Sequence, residues 1–246
     1  MQVSERVVLV TGGARRLGAA IVRQLHARGL SIVLHYRSSA DEAGRLRAEL
    51  ESLRPDSVML IRADILSEDA PRSLVDGALS HFGRLDMLVN NASTFYPTPM
   101  QQATVGQWDD LLGTNLRAPF FLSRSAAPYL ADHGGAIVNL IDVHAARPLK
   151  EYPIYSIAKA GLAMLTQSLA RELAPEVRVN GVAPGAILWP EVGADQAERE
   201  RVLAQIPLHR TGSPEDIARA VTFLLLDAPY VTGQILAVDG GRSTVL

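Results

Sequence analysis

The sequence predicts an α/β fold in which a parallel sheet of seven strands carries helices on both faces. Three observations predict it. Short, β-branched apolar runs alternate with segments of helical periodicity, the pattern of βαβ units. Several runs are apolar almost without interruption, as strands covered on both faces must be. A glycine-rich turn directly follows the first run and opens onto a helix, as in doubly wound sheets.

The expected strands are Arg6–Val10, Ser31–His35, Val58–Arg62, Leu85–Asn90, Ala136–Ile141, Val177–Val182 and Ile235–Val238. Between the first two, Leu17, Ile21 and Leu25 recur every four residues and Gly29 follows, which predicts an amphipathic helix ending on a glycine. The two longest helices are expected over Gln107–Leu130 and Tyr155–Leu173. Ser213-Pro-Glu-Asp opens another, with Ser213 as N-cap and Pro214 at the first helical position. Two loops break the rhythm, Thr94–Pro99 and the polar stretch Pro184–Pro207. Both leave the carboxyl ends of strands, where open α/β sheets bind ligands. With no internal repeat or linker, residues 1–246 are expected to form one domain, with a substrate loop at about 186–207.

Composition narrows the function. Lys plus Arg number 24 against 26 Asp plus Glu, a formal charge of -2, so neither nucleic acid nor an anionic membrane is an expected partner. A hydrophobic share of 48% excludes a disordered chain. The absence of cysteine excludes disulfides, thiolate metal sites and a cysteine nucleophile, and is compatible with a cytoplasmic location. The apolar run in MQVSERVVLVTGG is too short for a signal peptide, and no stretch approaches the roughly 20 apolar residues of a membrane helix. The histidines form no HxxxH or HExxH pattern, so no metal is expected. His26, His81, His133 and His209 are expected at the surface, and His144 in solvent at the pocket's edge.

The chemistry begins in Thr11-Gly12-Gly13-Ala14-Arg15-Arg16-Leu17-Gly18. Glycines there let backbone N–H groups approach a pyrophosphate at a helix N-terminus. Gly12 and Gly18 stand where a dinucleotide turn needs its outer glycines, with Arg16 in the middle position; Arg15 and Leu17 complete the expected cradle. The second strand ends in His35-Tyr36-Arg37-Ser38-Ser39, with no carboxylate before Asp41. A guanidinium and two hydroxyls suit a 2′-phosphate that a carboxylate would repel, so NADPH is favoured over NADH. Tyr155 and Lys159 lie one helical turn apart on one face. A Tyr hydroxyl, with a pKa of about 10, is a poor acid unless a cation depresses it, and Lys159 supplies that cation.

Thr11–Gly18, Asn90-Asn91-Ala92, Asn115, Tyr155-x-x-x-Lys159 and Pro184-Gly185 occur in the order found in the short-chain dehydrogenase/reductase family, which the chain resembles through Asp239-Gly-Gly. The resemblance implies a doubly wound Rossmann domain, hydride transfer with a nicotinamide cofactor, and a homotetramer. Tyr155 would then be the proton donor. Lys159 would bind the nicotinamide ribose and lower the Tyr155 pKa, and Asn115 would hold a relay water. Asp64, beside Ile65, would touch the adenine, and Asn90, Ala92, Ser93, Pro184, Gly185 and Ile187 would line the cofactor.

Two departures point to a subgroup. Most members place a Ser thirteen residues before the Tyr, to donate to a substrate carbonyl; this chain has Asp142. An ionised carboxylate only accepts, which suits a C=N bond better than a C=O bond. Beyond the fourth strand, Phe95 in Ser93-x-Phe95-Tyr96-Pro97 is placed to stack on a flat bicyclic ring. With Arg16, His35 and Tyr36, these features resemble the pteridine reductases. That likeness implies that Arg16, Ser93, Phe95, Asp142 and Tyr155 contact the substrate, joined by Leu188 and Trp189 from a loop similar to that of bacterial dihydromonapterin or dihydrofolate reductases. The expected activity is NADPH-dependent reduction of dihydropterin to tetrahydropterin, with dihydrofolate as a further substrate. One alternative is a carbonyl reductase of 3-oxoacyl type. Another is a catalytically silent NADPH-binding sensor, against which the Asn115, Tyr155 and Lys159 set argues.

Overall fold

Each expected strand forms, with ends shifted by up to two residues. The computed structural model describes residues 6–189 and 196–245. The strands are β1 Val7–Val10, β2 Ser31–Tyr36, β3 Val58–Arg62, β4 Met87–Asn90, β5 Ala136–Leu140, β6 Arg178–Pro184 and β7 Ile235–Val238. The helices are α1 Arg16–Ala27, α2 Ala40–Glu51, α3 Ala70–Phe82, α4 Val105–Leu112, α5 Ala118–Ala131, α6 Pro153–Glu172, α7 Gln196–Ala204 and α8 Pro214–Thr222.

The seven strands form one parallel sheet in the order β3-β2-β1-β4-β5-β6-β7. Apolar side chains on its two faces make two cores. One face packs Ile21, Val22 and Leu25 of α1 with Leu46 of α2 and Ile217 and Val221 of α8. The other packs Leu74 and Ala78 of α3 with Leu122, Ala126 and Leu130 of α5. From β1 the chain winds outward to β3, then returns to β4 on the other side of β1. The carboxyl ends of β1 and β4 therefore diverge and open a crevice, the usual ligand position in such sheets.

Three expectations are corrected. The helix expected over Gln107–Leu130 is two helices, joined by a π-helical turn at Gly113–Arg117. Inside the loop expected over Pro184–Pro207 lies α7, while residues 190–195 of that loop fall outside the described residues. His26, expected at the surface, is buried, and its Nε2 lies 2.8 Å from Ser57 Oγ. It sits in the last turn of α1, whose outward positions go to residues such as Arg23, paired with Glu49. Ser213 caps α8 as expected: its hydroxyl accepts from Asp216 N–H, and the Asp216 carboxylate accepts in return from Ser213 N–H. Among the described residues, no helix is long and apolar enough to cross a membrane.

Two glycines on the same side of the sheet should respond oppositely to an added methyl group. At Gly18 a Cβ would stand 2.2 Å from the Gly12 carbonyl oxygen and 2.8 Å from Asn91 Nδ2; at Gly44, within α2, it would meet nothing within 4 Å. Gly44→Ala should stabilise by about 0.5–1 kcal/mol in urea unfolding. Gly18→Ala should destabilise and weaken nucleotide binding, since both contacts belong to the turn itself.

Candidate active site

The crevice is shaped by hydrogen bonds between the turn after β1 and the end of β4. The Thr11 hydroxyl accepts from the backbone N–H groups of Asn91 and Ala92, each at 3.0 Å. The Asn91 amide donates to the Thr11 and Gly12 carbonyls at 2.9 and 3.0 Å. His35 braces the turn from β2: its Nδ1 accepts from Gly12 N–H at 3.2 Å and its Nε2 faces the Ala63 carbonyl at 3.1 Å. That pattern is a neutral imidazole, and burial lowers its pKa accordingly. His35 thus shapes the cradle with both ring nitrogens committed to backbone groups.

Arg16 occupies the middle position of the turn with φ of 51°, in the left-handed region. A non-glycine residue there costs on the order of 1 kcal/mol, so the backbone holds this side chain at the cleft against local strain. Around the turn lies a groove of about 330 Å³, lined by Gly12, Arg15, Arg16, Leu17, Gly18, Tyr36, Arg37, Ser38, Ser39, Ile65, Ala92 and Ser93 among others. A Cβ at Gly12 would touch Ala92 Cα at 3.0 Å, so the floor of this groove admits only bare backbone. Such a cradle fits a dinucleotide.

Other residues expected at the cofactor lie elsewhere. Asp64 is exposed, outside the groove's lining, and accepts from Leu66 N–H at 3.0 Å. The Asn90 side chain is buried, donating to Ser123 Oγ at 3.2 Å and to Asn139 Oδ1 at 2.8 Å; Asn139 in turn donates to Thr166 Oγ1. This network ties the ends of β4 and β5 to α5 and α6. Ile187 joins the apolar core, and Pro184 and Gly185 close β6 against Asp239, which a Cβ on Gly185 would strike at 2.6 Å.

The second part of the site lies across β5. The Tyr155 hydroxyl donates to Asp142 Oδ2 at 2.8 Å, and Asp142 Oδ1 accepts from His144 N–H at 2.8 Å. Both carboxylate oxygens therefore act as acceptors. Lys159 is buried, its Nζ donating to the Leu140 carbonyl at 2.8 Å and lying 5.6 Å from the Tyr155 ring centroid. Burial lowers its pKa to about 8, against the raising influence of Asp142. The expectation that Lys159 depresses the Tyr155 pKa is corrected. Burial raises it well above 10, the charge and hydrogen bond of Asp142 raise it further, and only Ser93 opposes them. The desolvation of the phenol and an adjacent anion outweigh a cation that is itself turned to a carbonyl.

Asn115 sits within the π-helical turn, fully buried. Its amide donates to the Leu111 and Thr94 carbonyls at 2.9 and 3.0 Å, and its Oδ1 accepts from Ser93 Oγ at 2.6 Å. It thus fixes the loop after β4. Phe95 in that loop is 50% exposed, stacked on Tyr152 at 4.6 Å and edge-on to Tyr155 at 4.8 Å. Leu188 is exposed, and Trp189 lies under the Arg199 guanidinium of α7 at 5.5 Å.

With this geometry in view, comparison with known proteins is informative. A family model described as enoyl-(acyl carrier protein) reductase matches residues 12–243. The chain belongs to the short-chain dehydrogenase/reductase family. It is 38% identical to pteridine reductase 1 of Leishmania tarentolae, covering 96% of each chain. It is also 38% identical to 3-oxoacyl-[acyl-carrier-protein] reductase FabG of Staphylococcus aureus, over 95% of this chain and 96% of the relative. With 3beta-hydroxysteroid dehydrogenase 1 of Eggerthella lenta the identity is 36%, over 97% and 94%.

As a short-chain oxidoreductase, the chain carries three site features that sequence reasoning missed. Tyr152 had no motif to announce it, although it lies one helical turn before Ser156 and backs the Phe95 ring. Tyr96 anchors the same loop by donating to Asp110 Oδ2 at 2.8 Å, and burial pushes its pKa up to about 12. The hydroxyl of Thr11 joins the two strand ends, a role that nothing in Thr-Gly-Gly discloses.

The electrostatic balance of this oxidoreductase's site is open to test by Asp142→Asn. Removing the carboxylate's charge should bring the Tyr155 pKa down and take that of Lys159 below about 8, because Asp142 raises both. Phenolate absorbance and lysine-selective NMR titrations would show it; an unmoved Tyr155 titration would mean that burial alone sets it. Lys159 also has a signature in stability. Its proton is lost at about 8 in the folded chain, well below the usual lysine range, so its burial opposes folding below that pH. The penalty is relieved as pH rises from about 8 toward about 10.4.

Proposed function

We propose that this oxidoreductase reduces dihydropterins to tetrahydropterins with NADPH. The observation that carries the reading is the bond from the Tyr155 hydroxyl to Asp142 Oδ2 at 2.8 Å. Where most family members resemble one another in a serine that donates to a carbonyl, this site has a pure acceptor. Sequence identity does not choose, since a pteridine reductase and a 3-oxoacyl reductase stand at the same 38%. The acceptor does, because a carboxylate repels a developing alkoxide and welcomes the N–H groups of a pterin.

The Gly12–Gly18 turn and the start of α1 would hold the pyrophosphate, and Arg37, Ser38 and Ser39 the 2′-phosphate. When bound, the nicotinamide supplies the hydride. Reducing C=N adds that hydride to carbon and a proton to nitrogen. Tyr155 gives the proton, and Asp142 relays a replacement to the phenolate from solvent. Lys159 keeps positive charge beneath the ring as the phenolate forms. Phe95 and Tyr152 offer an aromatic wall to a flat substrate, with Arg16 and Ser93 at its edge. Phe120 and Phe121 of α5 and Met164 of α6 leave apolar surface exposed, which supports association into a homotetramer.

The deciding assay follows NADPH oxidation with dihydrobiopterin and with a 3-oxoacyl thioester. Dihydropterin should be the better substrate. Asp142→Ala should lower its kcat by about 10²–10⁴-fold, the usual contribution of a positioned acid–base group, with NADPH affinity unchanged. Asp142→Ser should stay poor on pterins and gain activity on the carbonyl. Preference of the wild type for the 3-oxoacyl substrate would favour the carbonyl reductase reading.

Cofactor choice is tested by fluorescence titration. NADPH should bind more tightly than NADH by about 2–4 kcal/mol, as a few charge-assisted hydrogen bonds supply. Arg37→Asp should abolish or invert that preference.

A further inference from the structure

Beyond the reducing centre, the structure holds a second cavity. It encloses about 510 Å³ and is lined by His144, Arg147, Lys150, Arg201, Gln205 and Arg242 among others, with no carboxylate in its lining. Four of these side chains carry positive charge in a chain whose net charge is -2. In the middle of one wall lies the segment running from Asp142 to Tyr155. His144 faces the cavity while its own N–H donates to Asp142 Oδ1 at 2.8 Å, and Leu149 N–H donates to the hydroxyl of Ser156, next to Tyr155, at 3.2 Å. The opposite wall is α7, the helix that follows the Leu188–Trp189 loop, with Arg242 from the turn after β7.

A ligand is indicated by Arg242 itself. Its Nε is shielded from solvent with no hydrogen-bond acceptor among the described residues, and its Nη2 reaches only Gln205 Oε1 at 3.5 Å. A guanidinium so placed is an unfilled donor fork, the group that matches carboxylate and phosphate oxygens best. The lining belongs to the two segments that frame the reacting ring, so an anion held here can be part of the same molecule.

We propose that this cavity is a subsite for the anionic tail of the substrate, holding carboxylate or phosphate groups carried on the side chain of a pterin. The inference rests on the pterin reading above and deepens it: the preferred substrates are pterins with a charged tail rather than those with a short neutral one.

The test compares three substrates on the full chain with NADPH: dihydrobiopterin, whose side chain is uncharged; dihydrofolate, which carries the two carboxylates of glutamate; and dihydroneopterin triphosphate. Each is assayed with the wild type and with Arg147→Ala/Lys150→Ala, a pair of exposed side chains outside the reducing centre. The double variant should raise KM for a tailed substrate about tenfold or more, the scale expected when more than one charge contact is lost, and leave dihydrobiopterin kinetics unchanged. Added salt should raise the wild-type KM for the tailed substrate alone. A KM effect confined to dihydrofolate identifies a carboxylate subsite, and one confined to the triphosphate a phosphate subsite. If dihydrobiopterin is reduced but the variant affects all three substrates equally or none, the subsite is refuted and the pterin reading survives. If no pterin is reduced by the wild type, the pterin reading fails and this inference falls with it.

Discussion

The site depends on one junction, the clasp between the turn after β1 and the end of β4. A parallel sheet that winds outward in both directions necessarily splits between these two strands, and the split would stay wide without a polar tie. Thr11 and Asn91 supply it, closing the first turn of the nucleotide cradle onto the loop that carries Ser93 and Phe95. Cofactor groove and substrate wall are therefore two sides of the same few hydrogen bonds. Gly18 can sit under Gly12 only because it lacks a side chain, and that close approach sets the angle at which α1 leaves the sheet.

On the reactive side, the balance of forces is electrostatic. Tyr155 and Lys159 are both withdrawn from water, which disfavours the phenolate and the ammonium alike. Asp142 is the charge they share. It pushes the phenol toward retaining its proton and also helps the lysine retain its own. A site arranged in this way keeps protons in place until a substrate alters the balance. The buried chain of Ser123, Asn90, Asn139 and Thr166 holds the strands beneath it in register, so that small shifts of β4 against β5 do not move Asp142 relative to the groove.

Much of this was legible in the sequence because it follows from local rules. Unbroken apolar runs must be doubly covered strands, a Gly12–Gly18 spacing after a strand must be a tight turn, and Tyr155 with Lys159 must share a helix face. What escaped depends on partners distant in sequence. His35 reads as a ligand at a strand end, yet its neighbours are Gly12 and the Ala63 carbonyl. Asn90 reads as a cofactor contact but points inward to Asn139, because strand alternation sends its side chain to the buried face. His26 appears polar on an amphipathic helix until Ser57 is seen beside it. The direction of the Tyr155 shift was misjudged because spacing reports proximity to Lys159 but not where that ammonium turns.

The π-helical turn at Gly113–Arg117 has a consequence for how the chain can change in length. A π-turn spans one residue more than the α-turn it replaces. A chain one residue shorter here would run α4 into α5 as a single uninterrupted helix, and the Leu111 carbonyl would accept from a backbone N–H instead of the Asn115 amide. By local criteria it would be the better helix. It would also rotate everything after the turn by about 100° relative to everything before it. Leu111 on one side and Leu122, Ala126 and Leu130 on the other could then no longer face their cores together. The irregularity acts as a phase shifter between two buried stripes, and the amide it frees for the site is inseparable from that offset. Deletions in this segment are thus barred by packing even where they would improve the hydrogen bonding of the helix.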